Sequence, residues 1–409
     1  MKRAFINSTF NIQNSTFLFL ALLFFSIPVR ATAYDVKFLP SIDIRGEYDD
    51  NVLFSRVYET EDFLTRVKPA FTLDYVTELL DIKSKAAVDI FRYVDEDQLD
   101  TENQDYGLDA KYQIAERLSL SANGSYVKDT TLESELATTG HLSPRQERKR
   151  YGGGTGFTYQ LSELSDAGVD YSHSKTVYEY EGYTDYSTDS ISLSYNRRLE
   201  NQLDMLIIQP YYAWYDSTAS KVDNYGLSLG WFHPFSETFS ITAFGGARYT
   251  QTKYMYRIRI LETIEDYFDP RYAKVDEKDN SWGGTADISM KKTGETFSIS
   301  LGYSRDLAYS SYGEPIDTDN IRIGVDKRLT ERLRAYLSGG LYFTKSQGKY
   351  EDTDERYYNI GPSISYSLTE YHSLRLGYNY EQFLDKISLY DKKADRNRVW
   401  LTLQFTFPL

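Results

Sequence analysis

Apolar and polar residues alternate with a period of two along most of this chain. Between positions 333 and 343 the alternation is regular over eleven residues. One set is Leu333, Ala335, Leu337, Gly339, Leu341 and Phe343, and the other is Arg334, Tyr336, Ser338, Gly340 and Tyr342. Similar segments occur at 118–126, 191–195, 225–231, 296–304, 321–325, 364–368 and 374–380. Successive side chains of a strand point to opposite faces, so the pattern predicts β-strands with one apolar and one polar face.

Short polar turns separate these segments at intervals of about 40 residues, which is the length of two strands, a loop and a turn. The predicted turns are at 77–78, 115–117, 161–163, 199–201, 236–237, 293–294, 329–331 and 368–370. The intervening loops are longer and acidic, as at 95–97, 266–279 and 351–355. Eight turns and nine loops predict about 18 strands of roughly 9 to 13 residues each, with 16 strands as the alternative.

The strand pattern predicts one all-β domain, a single transmembrane antiparallel β-barrel formed by residues 34–409. A β-propeller has a similar repeat length, but each of its blades contains four short strands with recurrent Trp-Asp or Gly-His pairs. Two long strands per repeat, joined alternately by short turns and long loops, are typical of an outer-membrane barrel. Its partners would be outer-membrane lipid and the barrel-assembly machinery. The last strand has one apolar face up to its end, although the final residues are Phe407-Pro408-Leu409 rather than a terminal aromatic.

The first 33 residues have the features of a Sec-type signal peptide. Lys2 and Arg3 precede an apolar stretch at 17–25, and Ala31-Thr32-Ala33 fits a signal-peptidase site. An N-terminal membrane anchor is the alternative, but Arg30 ends the apolar stretch too early. Removal of residues 1–33 takes away Lys2, Arg3 and Arg30 and changes the formal charge from −14 to −17.

Composition narrows the class further. Cysteine is absent from the sequence, which excludes disulfides and thiolate metal sites. Aromatic residues make up 16% of a chain whose mean hydropathy is −0.53, and such aromatic content argues against a disordered protein. The surplus of acidic residues argues against a nucleic-acid partner, because phosphate binding requires Lys and Arg.

If the apolar face meets lipid, the opposite parity lines the lumen. The predicted lumen residues are Asp43, Arg45, Glu47, Asp74, Lys83, Lys85, Asp89, Asp109, Lys111, Asp170, Asp204, Asp287, Arg322, Asp326, Arg334, Arg375 and Arg398. Nine of them are acidic and eight are basic.

Isolated charges are costly in a dry core but compatible with a water-filled pore. They either form cross-strand ion pairs that stabilise the wall or bias a passing solute. Acidic loops outside the lumen predict a weak cation preference.

The sequence gives little support for catalysis, and no catalytic, cofactor or metal site is predicted. His173, near Asp170 and Asp185, is the one candidate for a barrel hydrolase, and a loop histidine without a role is the simpler interpretation. The run Asp95-Glu96-Asp97 is more typical of a solvated loop than of a calcium site. Gly152, Gly154 and Gly156 share the lumen parity of one strand, where they would make room for an inward-folded loop.

The segment Tyr48-Asp49-Asp50-Asn51-Val52 follows the first strand and resembles the opening of the second family of β-barrel porins, whose members often carry Tyr-x-Asp-Asn-Val at this point. A simpler interpretation is that Asp50-Asn51 shapes the first loop. The resemblance, together with similar proteins encoded beside exopolysaccharide genes, implies a pore that exports an exopolysaccharide. A periplasmic polysaccharide export or copolymerase protein would then be a partner. The alternatives are a passive porin for small hydrophilic solutes and a barrel hydrolase.

Overall fold

The computed structural model describes residues 34–407 except 261–270, 314, 347–352 and 389–392, so the predicted signal peptide and the final Pro408-Leu409 lie outside the described residues. The described residues form 18 strands. In chain order β1 to β9 are Tyr34–Asp49, Asp62–Thr77, Leu80–Tyr93, Thr101–Ala115, Leu118–Thr130, Glu147–Ser162, Ser165–Tyr178, Tyr186–Arg198 and Met205–Ser217. β10 to β18 are Ser220–Ser236, Phe239–Ile260, Arg271–Thr293, Phe297–Tyr309, Pro315–Arg328, Leu333–Ser346, Asp354–Ser367, His372–Asp385 and Lys393–Thr406.

These strands form one closed antiparallel barrel. Each strand pairs with its neighbours in the chain, and β1 also pairs with β18, with Ser41 opposite Thr406 and Asp49 opposite Arg398. Closure removes the unpaired edges that an open sheet would expose. The predicted barrel of 18 strands is therefore confirmed. The predicted strand length of 9 to 13 residues is too short, because the strands range from 13 residues in β5 to 23 in β12.

Strand register divides the barrel wall into an apolar outer and a polar inner face. Large apolar side chains such as Ile44, Leu229 and Leu401 are exposed on the outside. The opposite parity carries hydroxyl, amide and charged groups, as at Asn123 and Ser228. An exposed apolar belt on a closed barrel is the surface that a bilayer covers.

The barrel has short turns at the rim where β1 starts and mostly longer loops at the opposite rim, called the second rim, as the sequence predicted. Turns of two to six residues join the strands at the rim where β1 starts. At the other rim the connection between β9 and β10 is only Thr218–Ala219, so the expectation of nine long loops is wrong at this position. Residues 271–279, predicted as part of an acidic loop, belong to β12, because β11 and β12 pair beyond the rest of the wall.

Helical structure in the described residues is confined to the loops of the second rim. It consists of a 3-10 turn at Asp97–Leu99 and the helix α1 at Thr131–Thr138. Among the described residues, no helix has the length and apolar character needed to cross a membrane.

The apolar core lies inside the barrel beneath these loops. Its buried members are Phe54, Leu132, Leu136, Tyr342, Tyr357, Phe383 and Ala394. They come from the loop after β1, from α1 and from the inner faces of β15, β16, β17 and β18. Burial of these side chains fixes the loops against the inner wall.

Candidate functional site

Strand register places 16 of the 17 predicted lumen residues on the inner face. Asp43, Arg45 and Glu47 share the parity of Asp49 on β1, and the same parity continues through paired strands around the barrel. The inward set is Asp43, Arg45, Glu47, Asp74, Lys83, Lys85, Asp89, Asp109, Lys111, Asp170, Asp287, Arg322, Asp326, Arg334, Arg375 and Arg398.

Asp204 is the exception and does not line the lumen. It lies in the turn before β9, where its Oδ1 accepts hydrogen bonds from Trp231 Nε1 at 2.7 Å and from His233 Nδ1 at 2.8 Å. Trp231 belongs to the outward parity of β10. The prediction is wrong here because residues 205–208 are all apolar and do not alternate, so the sequence gives no parity at this position. Without Asp204 the predicted lumen set contains eight acidic and eight basic residues.

Several inward charges are paired across neighbouring strands. Arg66 forms a close bidentate ion pair with Asp89, and Lys85 Nζ lies 2.8 Å from Asp105 Oδ2. Partial solvent exposure keeps such pairs weak, at about 0–1 kcal/mol each. The structure thus supplies the cross-strand pairs of the wall-stabilising interpretation.

Residues 131–146, named loop 3 here, cross the lumen. Loop 3 leaves β5 and returns to β6, whereas its apolar side chains pack on β15 to β18. β1 to β4 on one side and β7 to β14 on the other separate these two parts of the wall. The loop therefore spans the barrel and narrows it near the second rim. The sequence showed the loop but not its direction, because its two buried leucines gave no period that distinguishes an inner from an outer contact.

Hydrogen bonds attach the far end of loop 3 to the opposite wall. Tyr342 Oη donates to the carbonyl oxygen of Ala137 at 3.0 Å, and Thr344 Oγ1 donates to that of Thr139 at 2.5 Å. Gly140 ends α1 with φ +75°, and a Cβ there would lie 2.4 Å from Tyr342 Cβ. Only glycine satisfies both the backbone conformation and this close approach.

A charged cluster binds α1 to β17 and β18, next to the seam where the last strand pairs with the first. Arg396 is buried, and its Nη2 lies 2.6 Å from Glu381 Oε2, while its Nη1 lies 3.8 Å from Glu133 Oε1 on α1. Arg398 Nη2 lies 2.8 Å from the second oxygen of Glu381. Removal of one partner would leave a buried charge uncompensated, so the cluster holds the loop as a unit. A cavity of about 270 Å³ lies below α1 between these groups.

Glu133 is the titratable link between the loop and the wall. It forms a close ion pair with Arg145, whose Nη1 donates to Tyr93 Oη at 2.9 Å. Burial alone would raise the pKa of the Glu133 carboxyl, but the guanidinium groups of Arg145 and Arg396 outweigh burial and hold the pKa below its ordinary value. Glu133 is therefore charged at neutral pH and anchors α1 electrostatically.

The porin-like motif forms the first loop and locks the barrel seam. Asn51 is completely buried; its Nδ2 donates to the carbonyl oxygens of Ser55 and Asp395 at 2.9 Å each, and its Oδ1 accepts from Ser55 N. Asp50 accepts two bonds of 2.7 Å from Asn397 of β18.

The other motif residues connect this loop to its surroundings. The Tyr48 hydroxyl donates to Glu61 on the outside, and Asp49 Oδ1 accepts from Asn51 N at 2.9 Å. The Val52 carbonyl oxygen accepts from Arg145 Nη2 at 3.3 Å, which joins the first loop to loop 3. Asp50-Asn51 does shape the first loop, as the simpler interpretation held, and it also joins β1 to β18.

The three glycines of β6 are surrounded by residues of the neighbouring strands β5 and β7. A Cβ at Gly156 would meet Asp170, and one at Gly154 would meet Asn123 and the Tyr171 backbone. The inward-folded loop exists, but it is loop 3 and it packs on the opposite side. The glycines instead make room for side chains of neighbouring strands.

The histidine arrangement gives no support to a hydrolase. His173 pairs with Gly153 on the outward parity, and its Nδ1 lies 2.7 Å from Asp189 Oδ1, whereas Asp170 points inward. Asp185 accepts a bond from the Tyr178 backbone instead. In the described residues no group of three or more His, Asp or Glu side chains is placed to hold a metal ion. At Asp95-Glu96 the backbone N–H groups donate to Asp62.

Comparison with known proteins adds a partial family match. The family model described as "Putative beta-barrel porin 2" matches residues 36–203, which confirms the resemblance over β1 to β8. No curated protein matches the sequence. A closed barrel with an apolar outer face and a charged inner face has the fold of an outer-membrane β-barrel.

Several solved structures align with most of this chain at low sequence identity. The ferric-catecholate import receptor Fiu from E. coli K12 has 8% identity and a TM-score of 0.47, and the alignment covers 92% of this chain and 82% of that one. OccK9 (OpdG) from Pseudomonas aeruginosa has 12% identity, a TM-score of 0.44, and coverages of 92% and 99%. OpdK from Pseudomonas aeruginosa has 9% identity, a TM-score of 0.43, and coverages of 91% and 99%. Because these identities and TM-scores are low, the fold is assigned from the strand register of the barrel itself.

Proposed function

We propose that this protein is a passive channel for small hydrophilic solutes, exported through its N-terminal signal peptide and inserted by the barrel-assembly machinery. The observation that carries the proposal is the wall of inward charges crossed by loop 3. A polar lumen accepts hydrated solutes, and a fixed segment across it limits their size. The chain acts as a conduit and not as an enzyme.

The size limit provides the test. Purified protein in liposomes should admit arabinose, a monosaccharide, several times faster than stachyose, a tetrasaccharide. Replacement of residues 132–145 by a two-residue turn should reduce this difference, because Thr130 and Glu147 are already paired across the base of the loop. Swelling no faster than in protein-free liposomes, for both sugars and both proteins, would refute the channel.

The second candidate is a conduit for export of an exopolysaccharide, working with a periplasmic export or copolymerase protein. It is favoured by the balance of eight acidic and eight basic residues among the predicted lumen residues that face inward, which suits a neutral or weakly charged polymer. Loop 3 would have to move, since a polymer cannot pass a segment fixed at both walls. Dextran passage through the intact protein, with a rate close to that of the loop-shortened variant, would favour export over passive diffusion.

A further inference from the structure

A second recess lies in the lumen wall away from the loop 3 anchors. It has a volume of about 650 Å³, within the usual range of small-molecule sites, roughly 300–1,000 Å³. Side chains of β8 to β13 line it. None of these residues belongs to the charged cluster that fixes α1.

Two aromatic rings form the floor of the recess. A Cβ at Gly226 would lie 2.2 Å from Tyr211 Cε1 and Cζ, and one at Gly230 would lie 2.3 Å from Phe244 Cε1. Both glycines have inward parity on β10. The two rings therefore occupy the space that a side chain at these glycines would take. Both are half-buried, so part of each ring is open to the lumen.

Polar groups surround these rings. Arg248 is 1% exposed, and its Nη2 donates to Asp317 Oδ1 at 2.9 Å. Within the described part of the chain its Nη1 has no hydrogen-bond acceptor, and the nearest carboxylate oxygen, on Asp306, is 3.6 Å away. Asp287 and Ser304 add a carboxylate and a hydroxyl to the same recess.

This chemistry discriminates between ligand classes. Asp287 and Asp306 would repel an anion, and Arg248 would repel a cation. A neutral polyhydroxylated ring suits both parts of the site, because its C–H face packs on an aromatic ring while its hydroxyls bond to carboxylates and a guanidinium. An unpaired buried N–H is also costly unless a ligand supplies the acceptor.

We propose that this recess is a saccharide-binding subsite in the channel, an inference that rests on the proposed conduit function and adds a substrate class. Tyr211 and Phe244 supply the stacking surface, and Arg248, Asp287 and Asp306 supply the hydrogen bonds. The ligand is a neutral sugar unit, either of a diffusing oligosaccharide or of a longer chain.

The test uses maltotriose as the probe with two readouts. Interruptions of single-channel current measure its residence in an open pore, and saturation-transfer NMR on the detergent-solubilised protein measures binding without conduction. Phe244→Leu keeps Gly230 covered but removes the flat ring, and it should weaken maltotriose binding roughly three- to tenfold. Phe244→Tyr should retain binding, and so should Tyr336→Leu, which removes an inward ring on β15 outside the recess.

The outcomes separate the two claims. A protein without conductance refutes the proposed channel, while the NMR signal still decides the subsite. A conducting protein that shows neither interruptions nor saturation transfer overturns the subsite alone. Equal weakening by Phe244→Leu and Tyr336→Leu, or stronger binding of galacturonate than of maltotriose, would also overturn it. Dextran of high molecular mass identifies the source: a Phe244-dependent signal with dextran assigns the recess to a polymer segment, and a signal with maltotriose alone assigns it to a diffusing oligosaccharide.

Discussion

At the residue scale, the position of Asn51 explains why a short polar motif follows the first strand. Its side chain bonds to the backbone of Ser55 within the first loop and to that of Asp395 on β18, and it does so without contact with solvent. A closed barrel needs its first and last strands held together although they are the most distant in sequence. The motif provides that connection at the rim where no covalent turn joins the two strands.

Asn51→Ala should therefore destabilise the folded barrel. It removes three hydrogen bonds of the side chain and leaves buried backbone groups unpaired, at a cost of about 2–4 kcal/mol in the free energy of unfolding. The measurement is urea unfolding in lipid vesicles. Asn201→Ala is the control, because that exposed turn residue makes a similar number of bonds and should cost under about 1 kcal/mol. Equal effects of the two substitutions would contradict a special role for the seam.

The sequence showed on which face of the wall a side chain lies, but not which residues of neighbouring strands it contacts. The period of two fixed the direction of Arg45, Asp170 and Arg398, since the pleat leaves only two choices. It misplaced Asp204 because that residue lies before β9, and the apolar residues 205–208 that follow it do not alternate. It also gave no sign that Tyr211 lies over Gly226, because partners on adjacent strands are set by register rather than by local sequence.

At the element scale, loop 3 is the segment that crosses the lumen and narrows it. α1 has only eight residues, too few for an isolated helix, so packing of Leu132 and Leu136 on the opposite strands must stabilise it. The sequence predicted a longer connection here and an inward loop elsewhere. Tertiary contacts decided its course, and these come from strands about 200 residues further along the chain.

The Glu133 anchor predicts a response of this element to acid. Its pKa is lowered in the folded loop, so its contribution is present above the ordinary carboxyl value of 4.5 and is lost as the pH falls through the lowered value. Loss of this one charged anchor should raise the open fraction of the loop roughly tenfold, seen as increased current noise once the pH falls below 4.5. In Glu133→Gln the noise should already be high at neutral pH and change little on acidification. An acid transition of the same size in both proteins would assign the response to other carboxylates.

At the scale of the whole molecule, charge is distributed unequally between lumen and loops. The sixteen predicted lumen residues that face inward carry eight charges of each sign, whereas the chain after residue 33 has a formal charge of −17. The surplus of acidic residues therefore lies mainly outside that set. Loop charges act over roughly 8 Å at physiological salt, so their influence on a passing ion is weak.

The channel should consequently prefer cations slightly, and less so as salt increases. Reversal potentials under a tenfold KCl gradient, repeated at high ionic strength, measure both properties. A shift toward the potassium potential that shrinks with salt agrees with selection by the loops. A clear preference for chloride would instead assign selection to the inward arginines Arg45, Arg396 and Arg398.

The barrel itself followed from the sequence because alternation, turn spacing and strand number are local properties. The narrowing of its lumen by loop 3 did not, because it depends on contacts with strands that are distant in sequence. Planar-bilayer conductance measures this narrowing when the intact protein is compared with the variant in which a two-residue turn replaces residues 132–145, with loop 94–100 shortened as the control. We expect a conducting channel whose single-channel conductance rises roughly twofold or more in the loop 3 variant and stays unchanged in the control. Equal conductance in all three proteins, or none in any of them, would contradict the account.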